Sequence, residues 1–205
     1  MFVAEKILLK KLGKIAYQPT VAAMREFTAR RSADTADELW LLEHPPVYTL
    51  GLAADSAHGP RHANGIPVVQ VERGGEITYH GPGQIVLYAL VDLARRGIKV
   101  KQFVATLEQS VIDLLGSRAE RKPGAPGIYV GGAKVAALGI RVSRGCAYHG
   151  LALNVDMDLT PFSAINPCGY PGLQVTQTRD LGIKENKEIL GNNLAGILIE
   201  KLEHA

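Results

Sequence analysis

The apolar run at residues 84–93 restricts the fold more than any other part of this chain. Its sequence is Gln-Ile-Val-Leu-Tyr-Ala-Leu-Val-Asp-Leu. A strand with one face in water would alternate apolar and polar side chains, and this run does not. It is therefore predicted to be a β-strand that other layers cover on both faces. A chain of 205 residues is long enough to supply those layers, and we expect a single domain over residues 1–205.

Shorter apolar segments predict a sheet accompanied by a few helices. In the clearest helix, Phe103, Leu107 and Val111 recur at helical spacing, and Gly116 supplies a C-terminal stop. Helices are predicted at residues 24–31, 99–116 and 188–202, and further strands at 7–9, 38–42, 47–50, 68–71, 133–143 and 147–155. Strands and helices in this mixed order predict an α+β or α/β protein with a mostly mixed sheet.

Composition and charge exclude several functional classes. A net charge of +3 without a dense Lys/Arg run does not predict nucleic-acid binding, but it suits a modestly basic rim that meets an acidic partner. Two cysteines cannot form a disulfide framework, and the N-terminus has no apolar run of signal-peptide length. No stretch approaches the ~18 apolar residues of a membrane helix. We therefore expect a cytoplasmic protein that binds no membrane.

The segment from Arg73 to Gln84 concentrates glycines and polar side chains between two apolar strands. Its sequence is Arg-Gly-Gly-Glu-Ile-Thr-Tyr-His-Gly-Pro-Gly-Gln. Glycine weakens a strand, so this cluster favours a backbone that a ligand can approach closely, with a plain turn as the alternative. No Gly-Lys-Ser/Thr follows, and no dinucleotide fingerprint is present, which counts against nucleotide use. The histidines show no metal-ligand spacing, so neither a metal nor another cofactor is predicted.

Lys134 begins the otherwise apolar face of a predicted strand. In a regular strand it shares that face with Ala136, Leu138 and Ile140. Burial would disfavour its ammonium form and make the amine a base near neutrality. Spacing alone favours the other interpretation, a strand-end lysine that reaches water. Gly139, in the same strand, marks either a close approach by another group or simple packing.

Cys168 lies in the segment Asn-Pro-Cys-Gly-Tyr-Pro-Gly at residues 166–172, which predicts a tight, stiff turn that presents the thiol for chemistry. The other cysteine, Cys146, is interpreted as structural. His149 shares a predicted face with Leu151 and Leu153, and a lone histidine there is more often a hydrogen-bonded core residue than a catalyst. A cysteine protease with His149 and Asn154 as partners is a further alternative, but no protease signature surrounds Cys168.

Three blocks together closely resemble the octanoyltransferases of lipoate biosynthesis. They are residues 73–84, with the pattern R-G-G-x-x-T-Y-H-G-P-G-Q, residues 127–155, and residues 166–170 with the string N-P-C-G. The similarity extends from about residue 38 to about residue 171. It implies an α+β fold, a mixed β-sheet with flanking helices, like that of biotin protein ligases and lipoate-protein ligases.

The resemblance also implies a role for each matching residue. Cys168 carries the acyl group as a thioester, and Lys134 is its activating partner. His80 and Tyr79 shape the pocket or relay protons, and the position of Ala137 is often serine in relatives. The residues implied to bind substrate are Arg73, Gly74, Gly75, Glu76, Ile77, Thr78, Tyr79, His80, Ala137, Leu138, Gly139, Gly150, Leu151 and Ala152.

The implied reaction moves an octanoyl group between two proteins. The donor is octanoyl-acyl carrier protein, and the acceptors are lysines on the lipoyl domains of 2-oxo acid dehydrogenase complexes and on the glycine cleavage H protein. An ATP-dependent lipoate-protein ligase is the nearest alternative, and it would not need Cys168. A non-catalytic acyl-carrier-binding protein of the same fold is a second alternative, which would tolerate loss of Cys168 and Lys134.

Overall fold

The computed structural model describes residues 6–54, 59–166 and 172–204. Their helices are α1 (Tyr17–Arg30), α2 (Val100–Leu115) and α3 (Lys187–Glu203). Their strands are β1 (Leu8–Lys14), β2 (Glu38–Glu43), β3 (Val47–Leu50), β4 (Val68–Gln70), β5 (Ile77–His80), β6 (Gln84–Asp92), β7 (Ala119–Lys122), β8 (Ala125–Val130), β9 (Ala133–Ser143) and β10 (Cys146–Asn154).

The strands form a large and a small sheet, and both sheets are mixed. The large sheet has seven strands in the order β1-β2-β6-β10-β9-β8-β7, of which only β1 and β2 run parallel to each other. The small sheet has three strands in the order β4-β3-β5, with β3 parallel to β4 and antiparallel to β5. The expectation of a mixed sheet with flanking helices is confirmed.

Strand β6 lies in the middle of the molecule, because both faces of the large sheet are covered. On one face, Leu87 and Ala89 pack in a cluster with α2 and α3, where Phe103 and Leu194 are fully buried. On the other face, Val86 and its neighbours pack with α1 and the small sheet. Burial of one such side chain stabilises the fold by about 1.5–3 kcal/mol, and the prediction for residues 84–93 is confirmed.

Elements with a clear apolar period lie close to their predicted bounds, whereas three strands were missed. Strand β5 is inside the glycine-rich segment, and β7 is mostly charged and exposed at the sheet edge. Strand β8 contains Pro126 and Gly127, which argue against a strand in sequence. Helix α1 begins seven residues earlier than predicted, at Tyr17, because Pro19 is tolerated in a first turn that lacks intrahelical acceptors. None of the helices in the described ranges is long and apolar enough to span a bilayer.

Candidate active site

A narrow cavity lies between the large sheet and the glycine-rich segment. Its volume is about 50 Å³, and one end of the lining comes from β5 and the loop before it. The rest of the lining comes from Tyr17 of α1, Val86 and Tyr88 of β6, and the middles of β9 and β10. Every residue predicted to bind substrate lines this cavity except Gly74 and Tyr79. Gly74 lies in a neighbouring groove, and Tyr79 packs into the core of the small sheet against Tyr48 and Phe162.

Hydrogen bonds from Arg73 connect the glycine-rich loop to the small sheet. Its side chain is buried, and its guanidinium donates to the carbonyl oxygen of Thr49 at 2.7 Å and to the Thr49 hydroxyl at 2.8 Å. Gly139 permits this packing, because a Cβ there would lie 2.8 Å from the Gly74 oxygen and 3.1 Å from Cδ of Arg73. The strand glycine therefore marks a close approach of the loop, which is one of the two interpretations of its position.

Three histidines surround the cavity end next to α1, and burial keeps all three neutral. Burial lowers the pKa of His44 to about 4, and it lowers the pKa values of His80 and His149 to about 3. His44 lies within hydrogen-bonding distance of the Tyr88 hydroxyl, 2.8 Å from Nε2, and of the Ile15 carbonyl, 2.7 Å from Nδ1. The neutral rings add polar groups to this end of the cavity, where the guanidinium of Arg73 carries the charge.

His149 corrects the sequence-based interpretation. It is buried, but neither ring nitrogen has a hydrogen-bond partner among the residues that the structure describes, so it is not a satisfied core histidine. Its φ is +64°, and the pairing of β10 with β6 is interrupted at Tyr148 and His149. This backbone breaks the alternation of the strand, so the ring contacts Tyr88 and Tyr148 rather than the face that holds Leu151.

Lys134 is buried, and the expectation from spacing that it reaches water is wrong. The residue is 3% exposed, and its Nζ donates to the carbonyl oxygen of Pro126 at 2.9 Å. The amine also lies 5.2 Å from the centroid of the Tyr129 ring. The register of β8 and β9 shifts between Ile128 and Tyr129, so β9 carries an extra residue next to Lys134. Such a β-bulge re-aims a side chain, which is why regular alternation fails there.

The main chain of Lys134 is held by the segment that follows residue 171. Its N–H donates to the Gln174 carbonyl at 2.8 Å, and its carbonyl accepts from the Thr176 N–H at 2.9 Å. These two bonds form a parallel bridge between Lys134 and Val175. Cys168 itself lies outside the described residues. The chain that leads away from it is thus bonded to the backbone of Lys134.

A chain of side-chain hydrogen bonds connects the cavity to this bridge. The Nδ1 of His80 is 2.7 Å from Oε1 of Gln84, and the amide of Gln84 donates to Oδ1 of Asn154 at 2.9 Å. The amide of Asn154 donates to the Thr176 carbonyl at 3.0 Å. Because Gln84 offers an oxygen to His80, the network assigns the proton of that ring to Nδ1 and leaves Nε2 as an acceptor.

Tyr17, Val86, Tyr88 and His149 line the cavity but were not predicted to do so. Val86 and Tyr88 follow Gln84 at intervals of two residues, and this period was available in the sequence as a signal. Tyr17 is far away in the chain and gave no signal. Cys146 is buried with its Sγ 3.8 Å from the Arg144 carbonyl, and burial raises the pKa of its thiol. Both observations agree with its interpretation as structural.

Comparison with known proteins shows which family this chain belongs to. Residues 16–191 match the model of the lipoyl protein ligase A/B catalytic domain. The chain belongs to this family. The octanoyltransferase of Thiobacillus denitrificans is 63% identical, over 89% of this chain and 84% of its own. The octanoyltransferase of Dechloromonas aromatica is 56% identical, over 96% of this chain and 97% of its own. The resemblance found in the sequence is thereby confirmed.

Solved structures confirm the predicted fold. A bipartite lipoate protein ligase from Thermoplasma acidophilum has a TM-score of 0.73 at 15% identity, and the match covers 97% of this chain and 91% of that one. Biotin protein ligase from Aquifex aeolicus has a TM-score of 0.55 at 13% identity, covering 98% of this chain and 69% of that one. At these identities the likeness concerns the fold alone.

Proposed function

We propose that this protein is an octanoyltransferase that moves an octanoyl group from acyl carrier protein to a lysine of a lipoyl domain. The observation that carries the proposal is the 63% and 56% identity to octanoyltransferases, each over more than four-fifths of both chains. The buried amine of Lys134 supports it, since a transferase of this kind needs a group that promotes thiolate formation.

The first step exchanges one thioester for another. The sulfur of Cys168 attacks the carbonyl carbon of the octanoyl thioester while Lys134 takes the thiol proton or, if charged, stabilises the thiolate. A free thiol with a pKa of about 8.5 is only a few per cent ionised at pH 7, so this help raises the reactive fraction. The bond to the carrier's sulfur breaks, and that sulfur leaves as a thiol after taking the proton that Cys168 lost. The octanoyl group now resides on Cys168.

The second step converts the thioester to an amide. The ε-amine of the acceptor lysine attacks the acyl carbon, the bond to Cys168 breaks, and the amine proton passes to Lys134 and then to the released sulfur. The products are an octanoylated lysine and the free enzyme. Because an amide is more stable than a thioester, the cycle needs no ATP.

The cavity suits the acyl chain in chemistry, since glycines and apolar side chains supply most of its lining. Burial of each CH₂ of the chain contributes about 0.8 kcal/mol to binding.

Intact-protein mass spectrometry after incubation with octanoyl-acyl carrier protein tests the proposal. We expect one added octanoyl group without ATP, which peptide mapping places on Cys168 and which Cys168→Ser abolishes. The matched control is Cys146→Ser, which removes the other cysteine and keeps the label. Full labelling of Cys168→Ser would assign the acyl group elsewhere, and a strict ATP requirement would indicate a ligase.

A further inference from the structure

A second concavity, here called the edge groove, lies next to the cavity. It runs along the part of strand β9 that does not pair with β8. Its volume is about 340 Å³. The glycine-rich loop forms one wall, where the Gly74 N–H donates to the Ile140 carbonyl at 2.9 Å. Val104 of α2 and Pro126 of β8 lie on the other walls. Apart from Glu76, the lining residues are glycines or carry apolar side chains.

The edge groove and the cavity share part of their lining. Gly75, Glu76, Leu138 and Gly139 line both. Pro126, which lines the groove, is also the residue whose carbonyl accepts the hydrogen bond from Nζ of Lys134. The wall of the groove therefore includes the residue that holds the Lys134 amine. With the acyl half of a thioester in the cavity, the groove is the neighbouring space for the half that leaves.

Three exposed lysines, here called the basic rim, lie close in the chain to residues that line the edge groove. Lys99 and Lys101 are at the N-terminus of α2, whose first turn has no acidic residue, and Lys101 precedes Val104 by three residues on the same face of the helix. Within the described ranges, neither of them forms an ion pair. The third lysine is Lys122, which ends β7.

The position of Lys122 relates the basic rim to the reaction centre. Its Nζ lies 5.1 Å from the centroid of the Tyr129 ring, and Nζ of Lys134 lies 5.2 Å from the same point. The two amines are thus at most about 10 Å apart, each within the range of a cation–π contact with one ring. Tyr129 is fully buried, whereas Lys122 is exposed. A cation therefore faces solvent near the buried amine.

We propose that the edge groove binds the phosphopantetheine arm of the acyl donor and that the basic rim binds its phosphate. This inference rests on the proposed function. The arm is a chain of methylene groups and two amides that ends in a phosphodiester. Apolar walls suit the chain, and lysine is a common ligand of phosphate. An acidic carrier protein behind the arm adds favourable charge to the same contact.

Three donors separate the contributions of arm, phosphate and protein. They are octanoyl-pantetheine, octanoyl-phosphopantetheine and octanoyl-acyl carrier protein, each used to form the acyl-enzyme. In Lys101→Glu/Lys122→Glu we expect kcat/KM for both phosphorylated donors to fall about 10-fold or more relative to octanoyl-pantetheine. The matched control is Lys11→Glu, because Lys11 lies on β1 at the opposite edge of the large sheet.

A substitution in the groove wall tests the binding of the arm itself. Val104→Trp fills the groove, and we expect it to lower kcat/KM for all three donors about 10-fold or more. Transfer from preformed octanoyl-enzyme to a lipoyl domain keeps its rate, since the arm has then left. Val104→Met fills the groove less and serves if the larger side chain prevents folding. Val104→Ala is the control that leaves the groove open.

Two results would overturn the inference while leaving the proposed function intact. One is an acyl-enzyme that forms from all three donors at unchanged rates in the rim and groove variants. The other is a rim or groove variant that slows only the transfer to the lipoyl domain, which would assign this surface to the acceptor. If the unmodified protein formed no acyl-enzyme, the proposed function and this inference would both fail.

Discussion

Lys134 lies beside a β-bulge, and the bulge determines what its amine contacts. The amine donates a hydrogen bond to the carbonyl oxygen of Pro126, while the backbone forms hydrogen bonds with Gln174 and Thr176. The main-chain bonds do not depend on the side chain. The side chain can therefore be changed without detaching the segment that follows residue 171.

Lys134→Met keeps the length of the side chain and removes the amine. We expect formation of the acyl-enzyme to slow by a factor of about 100, in the range of general acid–base catalysis. The rate profile should shift to higher pH, because the thiol then ionises without help. Mass spectrometry of reactions quenched at successive times, between pH 6 and pH 10, measures both effects. An unchanged profile would remove Lys134 from the mechanism.

Gly83 occupies a position that no other residue fits. Its φ is +87°, and a Cβ there would lie 1.9 Å from the Asp156 oxygen. We expect Gly83→Ala to lower the free energy of unfolding by about 3 kcal/mol or more, since backbone strain and overpacking add. Urea denaturation measures the change.

Gly97→Ala is the matched control for that measurement. Gly97 has a φ of +68°, and a Cβ added there would meet nothing within 4 Å. Only the backbone strain remains, about 1 kcal/mol. Equal losses in the two variants would show that Asp156 moves aside.

At the scale of elements, one carboxylate joins four parts of the fold. Asp37 is fully buried before β2, and it pairs with Arg31 at the end of α1 and with Arg95 and Arg96 after β6. Its Oδ1 also accepts from the Asp92 N–H at 2.9 Å. Arg96 donates in turn to the Leu202 carbonyl of α3 at 2.9 Å. The cluster thus ties both helical layers to the sheet.

Asp37→Asn removes the charge and keeps the shape. We expect the free energy of unfolding to fall by about 3–5 kcal/mol, because it leaves buried guanidinium groups without their anion. Thermal denaturation followed by circular dichroism measures the loss. Glu26→Gln, which breaks the exposed pair with Arg30, is the control and should cost less than about 0.5 kcal/mol.

The period of apolar residues predicted most elements and missed those without one. Helix α2 and strands β9 and β10 begin and end within about one residue of their predicted bounds. Strand β7 was missed because its residues are mostly charged, and β8 was missed because it contains proline and glycine. In the site, the glycine-rich segment was predictable as a cavity wall. The orientations of Lys134 and His149 were not, because a bulge and a positive φ depend on the partner strands.

At the scale of the whole molecule, three distant parts of the chain bring neutral histidines together near one end of the cavity. His80 and His149 line it, and the His44 ring lies 5.9 Å from that of His80. His44 follows β2, His80 ends β5 and His149 is within β10. Their pKa values are about 4, 3 and 3, against an ordinary value of 6.5. Below pH 6.5 these three histidines bind protons in the unfolded chain but stay neutral in the folded protein. Stability is therefore full above pH 6.5 and is lost as the pH falls toward 4.

The melting temperature should accordingly fall between pH 7 and pH 5. Each histidine contributes about 2 kcal/mol to the loss at pH 5. His149→Asn, which tolerates the positive φ, should make this dependence shallower. Scanning fluorimetry across the pH range measures it, with His204→Asn at the exposed C-terminal end as the control. An equally steep dependence in His149→Asn would show that the ring is protonated in the fold.

The cavity is bounded by two sheets, and this gives the molecule a way to change what it accepts. One wall belongs to the small sheet, whose own core includes Tyr48, Tyr79 and Phe162. The other wall is fixed by the main core beneath α2 and α3. Substitutions that repack the core of the small sheet would shift this wall relative to the other. A preference for longer or shorter fatty chains can thus evolve at residues that never touch the chain.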